Sequence, residues 1–240
     1  MRTDVLGVGF DDLTMDEAVG RAAVLLESGT PAYIVTPNPE IVWLCRDDPE
    51  LKEIVGRAAL VLPDGIGVVY GAKILGRPLK GKIAGIDFAE KLLERMAGTG
   101  KSVYLLGAKP GVASMAAKKL QNKYPGLVVA GTADGYFKDD GPVIEKINAS
   151  KPDLLLVCLG APKQERWMAA NATRLNVRLM AGLGGALDVF AGTAERAPES
   201  WQRLHLEWLH RLKKEPWRWR RMIKLPLFIF AVAGQRLKGN

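Results

Sequence analysis

Two stretches of the chain, Ser102-Val-Tyr-Leu-Leu-Gly107 and Asp153-Leu-Leu-Leu-Val-Cys-Leu-Gly160, read as strands with no polar face. A strand at the surface of a sheet alternates apolar and polar residues. One that does not alternate is buried on both sides, and that condition is met by parallel sheets with helices packed on each face. The segments between these runs carry the matching signal. Thr14-Met-Asp-Glu17 is a capping box that opens a helix, with Ala18, Ala22, Leu25 and Leu26 at helical spacing behind it. Strand and helix then alternate: strand Ala32–Val35, short helices at Glu40–Arg46 and Pro49–Arg57, strand Ala59–Leu62, helix 87–97, strand 102–106, helix 112–123, strand 127–131, helix 141–149, strand 154–159, helix 162–174, strand 177–181. The expected fold class is α/β: a Rossmann-like, mostly parallel sheet covered by helices on both faces, with a helical C-terminal appendage.

In such a sheet a ligand lies beyond the carboxyl ends of the strands, where the strand order reverses. The segments that fall there are Thr36-Pro-Asn38, Pro63-Asp64-Gly65-Ile-Gly67, Gly107-Ala-Lys109-Pro-Gly111, Gly160-Ala-Pro-Lys-Gln164-Glu165 and Gly182-Leu-Gly184-Gly185. Glycine in these turns lets backbone N–H groups approach a ligand and opens helices whose positive ends attract phosphate. For any single loop, glycine also serves simply to turn the chain; five loops converging on one edge point to a ligand. Asp64, at a strand end and half desolvated, suits a general base, or an Asx turn before Gly65. Thr36 and Asn38 offer short neutral hydrogen-bonding groups, or a helix cap. Gln164 offers an amide to a sugar or uracil edge, or is an exposed residue of a first helical turn.

Several chemistries are excluded. His205 and His210, the only histidines, fall near the C-terminus at a spacing unlike that of a zinc helix, so the body holds neither a His-dependent triad nor a His-based zinc site. Cys45 and Cys158 have no metal-ligand spacing and read as buried thiols. Gly76-Arg-Pro-Leu-Lys-Gly-Lys82 has the outline of a P-loop, but Ile83 stands where the Ser or Thr for Mg²⁺ belongs. There is no complete GxGxxG for a dinucleotide, and no Asp-x-Asp pair to hold a metal on a diphosphate. A transferase built on this chain therefore relies on protein cations, with no metal and no cofactor.

Charge is distributed in a way that divides the chain. Of 240 residues with net charge +8, residues 1–195 are neutral, and the whole excess lies in 196–240, which also hold Trp201, Trp208, Trp217 and Trp219. We expect a catalytic α/β domain over 1–195 and a basic, Trp/Arg-rich helical appendage over 196–240. Trp201, Leu204, Trp208, Leu209 and Leu212 recur at helical spacing, and after Pro216 come Trp217-Arg-Trp-Arg-Arg221. Indole beside guanidinium suits an anionic membrane surface, nucleic-acid phosphate with stacked bases, or a partner subunit in a homo-oligomer. The apolar run Leu225–Ala233 is too short to span a bilayer and contains Pro226, which is expected to interrupt it. The N-terminus lacks a signal peptide, which points to the cytosol.

Taken in order, Thr36-Pro-Asn-Pro-Glu40, Pro63-Asp-Gly-Ile-Gly67, Gly85-Ile-Asp87, Leu106-Gly-Ala-Lys-Pro-Gly111, Gly160-Ala-Pro-Lys-Gln-Glu165, Gly182-Leu-Gly-Gly185 and Glu215-Pro-Trp-Arg218 resemble the WecG/TagA/CpsF glycosyltransferases over nearly the whole chain. The resemblance implies a UDP-sugar donor, a polyprenyl-diphosphate-linked acceptor, inversion at the anomeric carbon and no metal. It further implies transfer of N-acetylmannosamine to undecaprenyl-diphosphate-linked N-acetylglucosamine, with N-acetylmannosamine uronic acid or glucose as alternative donor sugars. By the same resemblance Asp64 is the general base, Thr36, Asn38 and Gln164 belong to the sugar pocket, and Gly65, Lys82, Asp87 and Glu165 bind substrate. Gly107, Lys109 and Gly111 lie near the nucleotide, and Arg211, Arg218 and Arg221 clamp the diphosphate. Lys82 stands where the family commonly has Arg; it keeps the charge and loses the bidentate fork. This reading places the protein on the inner face of the cell membrane and expects no nucleic-acid partner. The rival reading is a nucleotide-binding regulatory module with a nucleic-acid-binding tail.

Overall fold

In a computed structural model, which describes residues 2–204, 206–214, 219 and 224–237, six strands form one parallel sheet. They are β3 (Ala32–Val35), β4 (Leu60–Val61), β5 (Ser102–Gly107), β6 (Val128–Ala133), β7 (Leu154–Cys158) and β8 (Leu179–Gly182), in the order β4-β3-β8-β7-β5-β6. β5 connects outward to β6 on one side, whereas β7 connects to β8 on the other, so the order reverses between β5 and β7. All carboxyl ends share one edge.

The non-alternating strands explain the layering. Along β5, Val103 and Leu105 enter one core while Tyr104 and Leu106 enter the other, and β7 divides in the same way. The first core is completed by α1 (Met15–Glu27), α5 (Gly85–Met96), α6 (Val112–Lys123) and α9 (Ala186–Phe190). The second is completed by α2 (Pro39–Asp47), α3 (Pro49–Arg57), α4 (Ile66–Ile74), α7 (Gly141–Ser150) and α8 (Lys163–Asn171). Helices α6 and α8, which follow β5 and β7, therefore lie on opposite faces and leave a crevice between those two strand ends. The helix starts follow their sequence signals. Thr14 and Glu17 close the expected capping box on α1, and Asn38 and Asp48 cap α2 and α3 ahead of a proline in the first turn of each.

An antiparallel hairpin precedes this unit, β1 (Arg2–Val5) and β2 (Val8–Asp11), joined by Leu6 and Gly7, both at positive φ as a two-residue hairpin turn requires. Its Val5, Val8 and Phe10 join the second core. Asp11 accepts the Val61 N–H at 2.8 Å and pairs with Arg2, which covers the outer edge of β4.

At the C-terminal end, the single amphipathic pattern drawn through Trp201–Leu212 is two helices, α10 (Glu199–Arg203) and α11 (Glu207–Lys214). The chain turns between them, with Leu206 N–H bonded back to the Trp201 carbonyl at 2.8 Å. Pro226 does not interrupt the last helix, α12 (Lys224–Leu237), contrary to expectation. It is the third residue of the helix as described, where its missing N–H has no intrahelical acceptor among the described residues to lose. Helix α12 packs on α2 and α4 through Phe228 and Val232, both fully buried. Among the described residues no helix is long and apolar enough to cross a membrane.

Candidate active site

The strand-end segments singled out in the sequence meet along the carboxyl edge. Thr36 closes β3, is nearly buried, and donates its hydroxyl to the Gly182 carbonyl at the end of β8 at 3.0 Å. Asn38 follows, and its Oδ1 accepts the N–H groups of Glu40 and Ile41 at 3.0 and 3.1 Å. Asn38 is therefore the cap of α2, and capping uses only the oxygen end of its amide. Asp64 lies beside it: its backbone N–H donates to the Pro37 carbonyl at 3.1 Å, while the Pro63 carbonyl accepts from Ile83 at 2.9 Å. The loops after β3 and β4 are thus tied backbone to backbone, which fixes Asp64 next to Thr36 and Asn38.

Close approach explains the small residues here. A Cβ on Gly67 would meet Pro39 Cγ at 2.7 Å, and one on Gly85 would meet Thr36 Oγ1 at 3.2 Å and Leu183 at 3.3 Å. Gly65, at φ +94, is the residue from which α4 starts. These contacts draw the first turns of α4 and α5 over the ends of β3 and β4.

Gln164 and Glu165 complete this half of the edge from α8. Gln164 is 2% exposed and Glu165 is 0% exposed. The Gln164 amide accepts the Gly184 N–H at 2.9 Å and donates to Glu165 Oε1 at 2.9 Å. Gln164 is therefore not an exposed residue of the first helical turn. Glu165, expected to bind substrate, has no surface to offer a ligand, and burial pushes its carboxyl pKa upward.

The other half lies across the crevice. Gly107 has φ +132, and a Cβ there would sit 2.2 Å from the Cys158 carbonyl oxygen, so β5 and β7 can run side by side at this point only with glycine. Gly111, at φ +84, is the N-cap of α6, and Lys109 is exposed in the turn between. Gly135 hangs the loop after β6 on this turn by donating to the Ala108 carbonyl at 2.9 Å. The next residue, Tyr136, is 68% exposed. The sequence carried one sign of it, an aromatic directly after Asp134-Gly135, a turn signal.

Lys82 and Asp87 are both engaged by the C-terminal segment. Arg196 grips the Asp87 carboxylate with two bonds of 2.6 and 2.8 Å, and Lys82 Nζ lies 2.5 Å from Glu207 Oε2. Arg196 Nε is 3.8 Å from Glu207 Oε1, which joins the two pairs. Burial of Arg196 opposes its charge, but the Asp87 carboxylate outweighs that and holds its pKa up. These ion pairs hold the start of α5 to α11. Neither Arg196 nor Glu207 was singled out in the sequence, because a charged residue shows its partner only when the chain has folded. Arg211 lies on α11 with its side chain outside the described residues, and Arg218 and Arg221 lie outside them altogether.

Among the described residues no group of three or more His, Cys, Asp or Glu side chains comes together as a metal site. Cys45 and Cys158 are buried free thiols, each pushed up to about 12 by burial, which keeps them protonated and unreactive.

Comparison with known proteins adds an independent line. The family model described as the glycosyl transferase WecG/TagA/CpsF family matches residues 3–240. The chain is 40% identical over 207 residues to an N-acetylglucosaminyldiphosphoundecaprenol N-acetyl-beta-D-mannosaminyltransferase of Bacillus spizizenii, covering 86% of this chain and 80% of that protein. It is 37% identical over 201 residues to the Bacillus subtilis protein of the same name, covering 84% and 78%. A Staphylococcus aureus protein, again of that name, is 33% identical over 240 residues, covering 99% of this chain and 94% of its own length.

Proposed function

The chain belongs to the WecG/TagA/CpsF family of glycosyltransferases, and from that premise we propose that it moves N-acetylmannosamine from UDP-N-acetylmannosamine to undecaprenyl-diphosphate-linked N-acetylglucosamine. The acceptor and the sugar are those in its relatives' names. The observation that carries the mechanism is the placing of Asp64 beside Thr36 and Asn38, with Gln164 reaching the same edge from α8.

In this reading the Asp64 carboxylate takes the proton of an acceptor hydroxyl as that oxygen attacks the anomeric carbon. The bond to UDP breaks on the opposite side, so configuration inverts and UDP leaves as the anion. Thr36, Asn38, Gly65 and Gln164 hold the sugar. The nitrogen ends of the Asn38 and Gln164 amides supply donors for its hydroxyl and acetamido groups. The nucleotide lies over the crevice between β5 and β7, where Gly107, Lys109, Gly111 and the first turn of α6 favour phosphate. Tyr136 offers its ring to the base from the neighbouring loop. Negative charge on the departing diphosphate needs cations held in place, and Arg211, Arg218 and Arg221 of the appendage fill that role without a metal.

The division into a catalytic body over 1–195 and an appendage over 196–240 belongs to this reading. The net charge of +8 on residues 196–240, with Leu227, Phe230 and Leu237 exposed on α12, supports the reading that the appendage lies against an anionic leaflet on the inner face of the membrane. Each basic residue near such a surface contributes about 1 kcal/mol. Sedimentation with anionic but not neutral vesicles is the expected result.

The direct test is UDP release from UDP-N-acetylmannosamine and a lipid-diphosphate-N-acetylglucosamine acceptor. Asp64→Asn should slow it by about 100-fold or more, the usual contribution of a positioned base. An absence of UDP release, or full rate in the Asn variant, would overturn the reading.

A further inference from the structure

Glu165 poses a problem that the transfer mechanism does not answer. Its carboxyl is wholly buried, its Oε2 has no hydrogen-bond partner among the described residues, and a methionine or leucine would fill the same space without the penalty of burying it. What the apolar residue would lack is the acceptor at Oε1, which takes the N–H of the Gln164 amide at 2.9 Å.

That bond sits at one end of a continuous chain of contacts. The opposite end of the Gln164 amide accepts the Gly184 N–H, and its nitrogen lies 3.0 Å from the point a Cβ on Gly182 would occupy. The Gly182 carbonyl in turn accepts the Thr36 hydroxyl. With Glu165 on one side and Gly184 on the other, the amide can neither rotate nor exchange its oxygen and nitrogen ends, and among the described residues it keeps one hydrogen and one lone pair uncommitted. We propose that Glu165 is a positioning residue: it does not touch substrate but locks the Gln164 amide, and through it the Gly182–Gly185 turn and Thr36, in the geometry of the sugar pocket. This rests on the transferase reading for its catalytic consequence, while the lock itself is a property of the folded chain.

Glu165→Met keeps the volume and removes the acceptor, Glu165→Gln keeps an acceptor without a charge, and Glu165→Asp withdraws the carboxyl from Gln164 by one methylene. A small misplacement of a positioning group costs up to about 100-fold in rate, so Met and Asp are expected to lower kcat by about 10- to 100-fold, with Gln restoring it to within about threefold of wild type. UDP, which lacks the sugar, should bind all variants equally in calorimetry. In a double-mutant cycle, Glu165→Met should slow Gln164→Ala no further, because both remove the same amide. The Gly184 amide, followed by hydrogen exchange, should open faster in the Met and Asp variants than in wild type or the Gln variant. If Met does not fold, Asp carries the same comparison.

Wild-type rates in folded Met and Asp variants overturn the proposal, as does additivity with Gln164→Ala or a parallel loss of UDP affinity. If the wild-type protein releases no UDP, the transferase reading fails and the exchange rate of Gly184 still decides the lock.

Discussion

Replacing Phe228 with alanine should free α12 from the body while leaving the sheet intact. Phe228 has no exposed surface, and its ring lies 3.0 and 3.1 Å from the place a Cβ on Gly71 would take, with Val5 3.3 Å from the same point. Gly71 is held in α4 and Val5 in β1, so the space left by the ring cannot close by a small shift. Truncating a buried Phe to Ala under such conditions costs about 3–5 kcal/mol. At about 1.4 kcal/mol per factor of ten, the docked form of α12 loses roughly two to three and a half orders of magnitude against the undocked form. Among the described residues, what helps to hold it then includes Val232, Ile229 against the second core, Leu225 against Gly67, the Gln235 bonds to Leu6 N–H and Asp4 at 3.2 and 3.3 Å, and the Arg236 bond to the Ile74 carbonyl. A helix of this length is marginal alone in water, so once undocked it also unwinds. Hydrogen exchange is the assay, with amides of β5 and β7 as the internal standard. The α12 amides should exchange about 100-fold faster or more in the variant, with the standard unchanged. Unchanged α12 amides would refute the packing argument. Equal acceleration in β5 and β7 would refute the view that α12 docks on the sheet domain as a separate step.

Burial raises the Glu165 carboxyl pKa from 4.5, so the folded state keeps a proton that the unfolded chain releases. Stability is then greatest below about pH 4.5 as far as this group is concerned and falls as pH rises through the folded pKa, by at most about 1.4 kcal/mol per pH unit; melting curves of Glu165→Gln should lack that slope. Gly107→Ala should yield no native protein, since its Cβ falls 2.2 Å from a backbone oxygen. Gly111→Ala, with φ +84 but nothing within 4 Å, should fold with a loss of about 1–2 kcal/mol by denaturant titration. Asn38→Asp keeps the cap oxygen and should melt within a few degrees of wild type while transfer slows; Asn38→Ala should also lose about 1 kcal/mol of stability. Equal transfer rates in Asn38→Asp and wild type would show that the amide's nitrogen end has no part in the site.

Much of the fold is legible in the sequence where local and global signals agree. The capping box at Thr14 and Glu17 forms as written, and the strands without alternation lie between two cores. The hairpin β1–β2 escaped because its turn is Leu6-Gly7 instead of a pair such as Asn-Gly that announces itself. Pro226 was misread because a proline stops a helix only beyond its first turn, and where α12 begins depends on how it packs. For the site, strand ends and tight loops pointed to Thr36, Asn38 and Asp64 as candidates, and the fold brings these three together. Lys82, Asp87 and Glu165 were named as candidates without their environments. The first two are bound by Glu207 and Arg196, more than a hundred positions away, and the third is sealed in the second core.

What the sequence by itself determined is the parallel α/β sheet and the edge on which its glycine-rich loops gather. Burial on both faces is written into each strand, and the order of strand, loop and helix places every loop at one end. Only the tertiary structure decided which of the polar residues on that edge cap a helix, which enter ion pairs and which are buried in hydrogen bonds with their neighbours. Those roles depend on distances between segments far apart in the chain, and a carboxylate in sequence carries no mark of whether it will meet water, an arginine or the amide of the residue beside it.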